Sequence, residues 1–159
     1  MHEFGRCHSA ISCVVAALLE GVCAGTGVKA HMRNLKWPAY SPPLWGWYAI
    51  AVSYYAIIFS CAYRVLQHSS TTPFRNAALA LLLSTVVLNA LWNLLFFRAK
   101  NLAATFALSL CYSVVVVACW YCLSRFDRFA AAAIGLYGGY LVYANLWGYR
   151  VWRLNSGAL

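Results

Sequence analysis

The chain has 159 residues, of which 64% are hydrophobic and only 9% are charged, and its formal net charge is +9. A soluble domain carries about 25% charged residues, so this composition excludes a water-soluble enzyme and indicates an integral membrane protein. The basic excess does not mark a nucleic-acid binder, because the Lys and Arg mostly flank apolar runs, where anionic headgroups meet them.

Residues 1–10 are polar, and His2 and His8 there fit a mobile terminus better than a ligand pair. The first apolar run, 11–28, predicts a membrane span. Arg6 in front and small residues near 22–25 also suit a signal peptide. A length close to the ~20 residues of a span favours the span. Glu20 interrupts this run and is a functional candidate, because intramembrane carboxylates are costly. Its plainer role is to face other helices or a polar cavity. Gly21 and Gly25 have the spacing that lets helix backbones approach.

Lys29, Arg33 and Lys36 lead into Trp37-Pro-Ala-Tyr-Ser-Pro-Pro-Leu-Trp-Gly-Trp47, an uncharged stretch with three prolines and four aromatic residues. Proline lacks a backbone donor and pushes its predecessor towards extended geometry. The stretch 37–43 therefore reads as a stiff, non-helical loop before the second span. It is either a cap over a cavity or an interfacial connector with an aromatic belt.

The second span covers about 45–64, with Tyr48, Ala51, Tyr55 and Phe59 sharing a face by helical spacing. A polar turn follows over 67–76 and contains Pro73. The third span, 77–97, is uncharged and places Asn89, Trp92 and Phe96 on one face. An amide at that depth needs a partner on another helix or a pocket to line. The fourth span, 102–123, has a valine run at 114–117, is otherwise featureless, and reads as a helix facing lipid and neighbours. The fifth, 129–152, carries the Gly135–Gly139 pair and a face of Tyr137, Tyr140, Ala144 and Trp147. Counting Lys and Arg in the flanking segments gives a weak bias towards a cytosolic C-terminus.

The cysteines lie mostly inside apolar runs and act as small hydrophobes. Cys119-x-x-Cys122 lacks the polar shell and second pair of a metal or redox site, so no metal is expected. No paired carboxylates, histidine cluster or phosphate loop is present. An aromatic bundle with few polar groups suits a flat apolar ligand, such as a tetrapyrrole or a sterol, held by stacking and burial. Leu146, Tyr149 and Arg153 fit the weak pattern proposed for cholesterol contact, and fit equally a helix end with a snorkelling Arg.

Three ordered blocks carry a resemblance. Leu35-Lys-Trp-Pro-Ala-Tyr-Ser-Pro-Pro-Leu-Trp-Gly-Trp47, Leu88-Asn-Ala-Leu-Trp-Asn-Leu-Leu-Phe-Phe97 and the closing segment Tyr137–Asn155 resemble the conserved segments of the translocator protein family. Its members are also called tryptophan-rich sensory proteins or peripheral-type benzodiazepine receptors. The likeness runs from about residue 11 to 155. It implies an all-α five-helix membrane bundle, often a homodimer, that binds porphyrins and, in animal members, cholesterol. No cofactor is required, and porphyrin or haem is a candidate ligand. Carried over by motif, the cavity residues are Pro42, Pro43, Trp45, Trp47, Tyr55, Asn89, Trp92, Tyr137, Tyr140 and Ala144, and the sterol-contact residues are Leu146, Tyr149 and Arg153. Expected partners are the bilayer, a small apolar ligand and a second copy, with no nucleic acid. The membrane would be the mitochondrial outer membrane or another organelle membrane in a eukaryote, and the outer membrane in a bacterium.

The chain departs from the family pattern at His31-Met32, Trp37, Tyr40, Ala51, Thr85, Leu136, Tyr140 and Gly148. Tyr40 and Ala51 stand where the family has tryptophans, which implies a divergent binder with a widened pocket. The resemblance leaves two alternatives to a binding or transport protein. One is light-dependent porphyrin breakdown using Trp45, Trp47 or Trp92. The other is a ligand-free, stress-regulatory membrane scaffold.

Overall fold

The computed structural model describes Gly25 and residues 28–156. These form a short helix α1 (Val28–Asn34) and four long helices: α2 (Leu44–Gln67), α3 (Arg75–Asn93), α4 (Leu102–Ser124) and α5 (Arg128–Asn155). Helix α3 runs on through a π-helical turn, Leu94–Arg98. The four long helices are long and apolar enough to cross a membrane, with mean hydropathies of 1.6, 2.0, 2.2 and 1.3 in chain order. At 1.5 Å per residue, 24 residues of α2 cover about 36 Å, more than the ~30 Å hydrocarbon core. The expected first span, with Glu20 and Gly21, lies outside the described residues.

The ends of the helices match the expected spans within a few residues, and their caps explain the match. Asn101 accepts the Ala104 amide and starts α4. Asp127 accepts the amides of Phe129 and Ala130 and starts α5. Such caps satisfy donors that a helix start leaves open. The turn between α3 and α4 is tight, and Lys100 takes a positive φ of 54° to make it. Two features differ from the expectation. Residues 28–34 form a helix between the first apolar run and the 37–43 loop, where no separate element was expected. The third span also ends in a π turn, in which the Ala99 amide reaches the Leu94 carbonyl. Neither feature has a strong local signal, because both depend on packing against aromatic rings.

Helix α4 is the centre of the bundle. Its most extensive packing is against α5, and the next is against α3. The structure divides its two sides: Tyr112, Val116, Cys119 and Leu123 are buried along one, while Val114 and Val117 are exposed on the other. Uniform apolarity hid this sidedness, but Thr105, Ser109 and Ser113, spaced by four, mark the packed face. Each hydroxyl donates to the carbonyl four residues earlier, at 2.7, 3.0 and 2.9 Å. That arrangement leaves their oxygens free to accept from neighbouring helices. The glycine pair on α5 is split in role: Gly135 lies against the Trp120 ring, whereas a side chain at Gly139 would meet open space.

The core divides into two parts. One, centred on Cys61, Val65, Cys119, Leu123 and Ile134, fills the end near the 124–128 turn. The other gathers Phe96, Leu102, Trp147 and Val151 at the opposite end, beneath the proline-rich loop. The first end is locked by Asp127, the one acidic residue among those described. Both Asp127 oxygens accept from Arg64 Nε, at 3.0 and 2.9 Å, and Oδ2 lies 3.2 Å from His68 Nε2. The Arg64 guanidinium also sits 5.0 Å over the Phe129 ring. This ties the end of α2 to the start of α5. Burial pushes the Asp127 carboxyl pKa up, but the Ala130 amide, Arg64 and His68 outweigh it and hold the group below its usual value.

A carboxyl whose pKa is lowered by folding stabilises the fold above its unfolded value, about 3.9. That contribution is lost as pH falls through the lower folded value. Asp127→Asn should therefore lower the thermal midpoint in detergent at pH 7, by about 2 kcal/mol of stability, since the Asp127 side chain is 1% exposed but its Arg64 partner is 44% exposed and screened. Below pH 4 the gap between variant and parent should narrow. Thermal melts from pH 3 to 7 check this, and a gap that widens on acidification contradicts it.

A candidate ligand cavity beneath the proline-rich loop

Four attachments hold the loop of residues 35–43 onto α5 and α1. Lys36 and Asn155 form a reciprocal pair, in which the Lys36 amide donates to Asn155 Oδ1 and Asn155 Nδ2 donates to the Lys36 carbonyl, both at 3.0 Å. Trp147 Nε1 donates to Ser41 Oγ at 3.1 Å. The Tyr143 hydroxyl donates to the Tyr40 carbonyl at 3.0 Å. Trp37 Nε1 donates to the Met32 carbonyl at 2.8 Å, and its ring stacks on Trp147 with centroids 5.6 Å apart. Pro42 and Pro43 then fold against the first turn of α2, and Gly46 makes room for them. A Cβ at Gly46 would come within 3.1 Å of Pro42.

Under this roof lies a cavity of about 860 Å³ among α1, α2, α3, α4 and α5. The volume falls in the range of small-molecule sites, about 300–1,000 Å³. Its walls are aromatic. Trp47 packs edge-on to Trp147 at 4.8 Å, and Trp92 stacks on Phe96 at 4.8 Å with only 10° between the planes. The π turn in α3 swings Phe97 beside Phe96, so that both rings meet Trp92. Tyr137 stacks with Tyr140 at 5.9 Å, and the hydroxyls of Tyr137 and Tyr112 lie 2.9 Å apart.

The polar groups of the walls are held in place by the α4 hydroxyls. Trp92 Nε1 donates to Ser109 Oγ at 3.0 Å, and Asn145 Nδ2 donates to Ser113 Oγ at 2.8 Å. Asn89 lines the cavity, and its backbone carbonyl accepts from Asn93 Nδ2 at 2.9 Å. Beside the roof, His31 is buried with its ring against Phe96 and Phe97. Burial, and then the charge of Lys100, lower its pKa, so the imidazole is neutral at neutral pH.

Of the expected cavity residues, Pro42, Trp47, Tyr55, Asn89, Trp92, Tyr137, Tyr140 and Ala144 line this space. Pro43 and Trp45 do not. Pro43 caps α2, and Trp45 is 73% exposed on its outer side. Each helical residue turns about 100° from the last, so Trp45 and Trp47, two positions apart, point to nearly opposite sides of α2 and cannot share a face. Leu146 and Tyr149 are exposed, and the Tyr149 ring packs on Phe106 and Trp152. With Arg153 they sit on the outside of α5, away from the cavity. Sequence reasoning did not assign Tyr54, Ser109, Tyr112 or Asn145 to the walls. The four-residue hydroxyl spacing of Thr105, Ser109 and Ser113 on α4 was the available signal for Ser109.

Asn155→Ala should remove the reciprocal pair and leave the Lys36 amide and carbonyl without partners. At about 1 kcal/mol for each of the two hydrogen bonds lost, amide exchange across 36–41 should speed up about tenfold, while α4 keeps its protection. Hydrogen exchange measured in nanodiscs checks this, and unchanged protection at Lys36 contradicts the role given to Asn155.

Comparison with known proteins is consistent with this architecture. No curated protein matches the chain. A family model, that of the TspO/MBR family, matches residues 9–153, more than nine-tenths of the sequence. The chain, with its membrane helices and its cavity beneath a proline-rich loop, belongs to the TspO/MBR family.

Proposed function

We propose that this translocator-like membrane protein binds a flat apolar ligand, a tetrapyrrole first and a sterol second, in the cavity beneath residues 35–43, and carries it within or across the bilayer. In this reading, residues before 28 add a fifth span to the bundle. The observation that carries the proposal is the aromatic cavity itself. Its 860 Å³ are walled by stacked rings and roofed by a loop that is hydrogen-bonded to α5. Stacking and burial are the means by which aromatic walls hold a planar ring system. Tyr40 and Ala51, which stand where the family has tryptophans, leave the roof and the α2 wall less filled.

The outer surface supports a separate role. Leu146, Tyr149 and Arg153 face outward on α5, together with exposed Leu136 and Val142. A sterol held there would lie at the lipid boundary or between two copies of the chain, and not in the cavity. Light-dependent porphyrin breakdown has one supporting observation, that Trp47 and Trp92 line the cavity. Trp45, the third tryptophan considered for that chemistry, lies outside it.

Trp37, Trp47, Trp92 and Trp147 line the cavity, so a bound porphyrin should quench tryptophan fluorescence. Titration of the purified protein with a porphyrin should saturate at micromolar concentration, and no quenching in that range would sink the proposal. Trp92→Ala should weaken binding about tenfold, or ~1.4 kcal/mol, by removing one stacking wall. Loss of the Soret band under illumination, absent in the dark, would establish the photochemical reading. A stable band under light would remove it and leave binding intact.

A further inference from the structure

Among the described residues that line the cavity, Arg33 alone is charged. It both lines the cavity and is exposed, which places it at the rim, on α1 next to the roof. Among the described residues it has no carboxylate to pair with, because the single described acid, Asp127, is held by Arg64 and His68 at the other end of the bundle. The rim end carries Lys36, Arg98, Lys100, Arg150 and Arg153 as well, with no described acidic residue among them. Deeper in, the polar groups are neutral and several are engaged: Trp92 with Ser109, Asn145 with Ser113, and Tyr112 with Tyr137. A ligand acid pushed to that depth would find no cation among the described residues, and an ionised carboxylate without a partner is expensive to bury. At the rim the same acid would meet a guanidinium, whose planar fork matches a carboxylate with two parallel hydrogen bonds.

We propose that Arg33 anchors a carboxylate of the ligand at the cavity rim, so that the site selects apolar ring systems bearing an acid over neutral ones of the same shape. This rests on the cavity being the ligand site, as proposed above. It narrows the ligand class: the ring system enters first, and the acid stays at the water-facing edge. A neutral sterol gains nothing from Arg33.

The test compares a porphyrin diacid with its neutral dimethyl ester in phosphatidylcholine nanodiscs at pH 7.4, read by tryptophan quenching in the full chain, in Arg33→Gln and in Arg33→Lys. The parent protein should bind the diacid more tightly than the ester. Arg33→Gln should weaken the diacid about tenfold and leave the ester unchanged, and Arg33→Lys should recover part of the loss, because the charge returns without the fork. Equal weakening of diacid and ester would assign Arg33 to packing and overturn the anchor, as would no change in either. An effect confined to nanodiscs containing phosphatidylserine would assign Arg33 to lipid headgroups and also overturn it. If the parent protein binds neither porphyrin, the cavity reading itself fails and the anchor falls with it. Binding of both, with no dependence on residue 33, removes the anchor alone.

Discussion

The reciprocal pair between Lys36 and Asn155 is the constraint on which the ligand site depends. The proline-rich loop cannot form a regular hydrogen-bonding ladder, because its prolines lack donors. Its attachment must come from outside, and α5 supplies most of it. Asn155 takes both backbone groups of Lys36, while Trp147 and Tyr143 take Ser41 and Tyr40 further along. Tyr143 and Trp147 lie four apart on α5 and Asn155 lies eight beyond Trp147, so a single helical stripe carries the roof. The cavity exists because the roof is held above the helices by these polar contacts and by the Trp37–Trp147 stack, which leaves open the space beneath it.

The bundle below serves the same end. Helix α4 stands between α3 and α5 and offers hydroxyl oxygens at regular intervals. In an apolar medium, a tryptophan N–H or an asparagine amide needs a partner, and Ser109 and Ser113 provide them without adding charge. The walls are thereby oriented before any ligand arrives, which lowers the ordering cost of binding. At the far end the Arg64–Asp127–His68 contact closes the bundle where no cavity is needed. Charge is thus divided: the closed end holds its acid in an ion pair, and the roofed end presents cations only, among the described residues.

The membrane class, the positions of four helices and one face of the cavity were legible in the sequence, for identifiable reasons. Long uncharged runs bounded by Lys, Arg, Pro and Asp set the span limits. Helical spacing placed Asn89 with Trp92, and Tyr137 with Tyr140 and Ala144. The family motif, and not helical spacing, put Trp45 in the cavity, because a motif treats Trp45 and Trp47 alike while a helix points them apart. Helix α1 and the π turn at Leu94–Arg98 were not legible, since each answers to aromatic packing around His31, Phe96 and Phe97 that no local pattern encodes. The sidedness of α4 was hidden by uniform apolarity, and the clue lay in three small hydroxyl residues that are easily passed over. Composition alone left 37–43 as either a cap or an interfacial connector; the hydrogen bonds to Asn155, Trp147 and Tyr143 make it a roof.

The most direct test of the account is a structure of the protein in a lipid environment with a porphyrin bound. The account predicts ligand density beneath residues 35–43, with the ring system between Trp47, Trp92 and Tyr140 and the roof still attached through Asn155. Density confined to the outer face around Tyr149, with the space under the loop collapsed or filled by side chains, would contradict it.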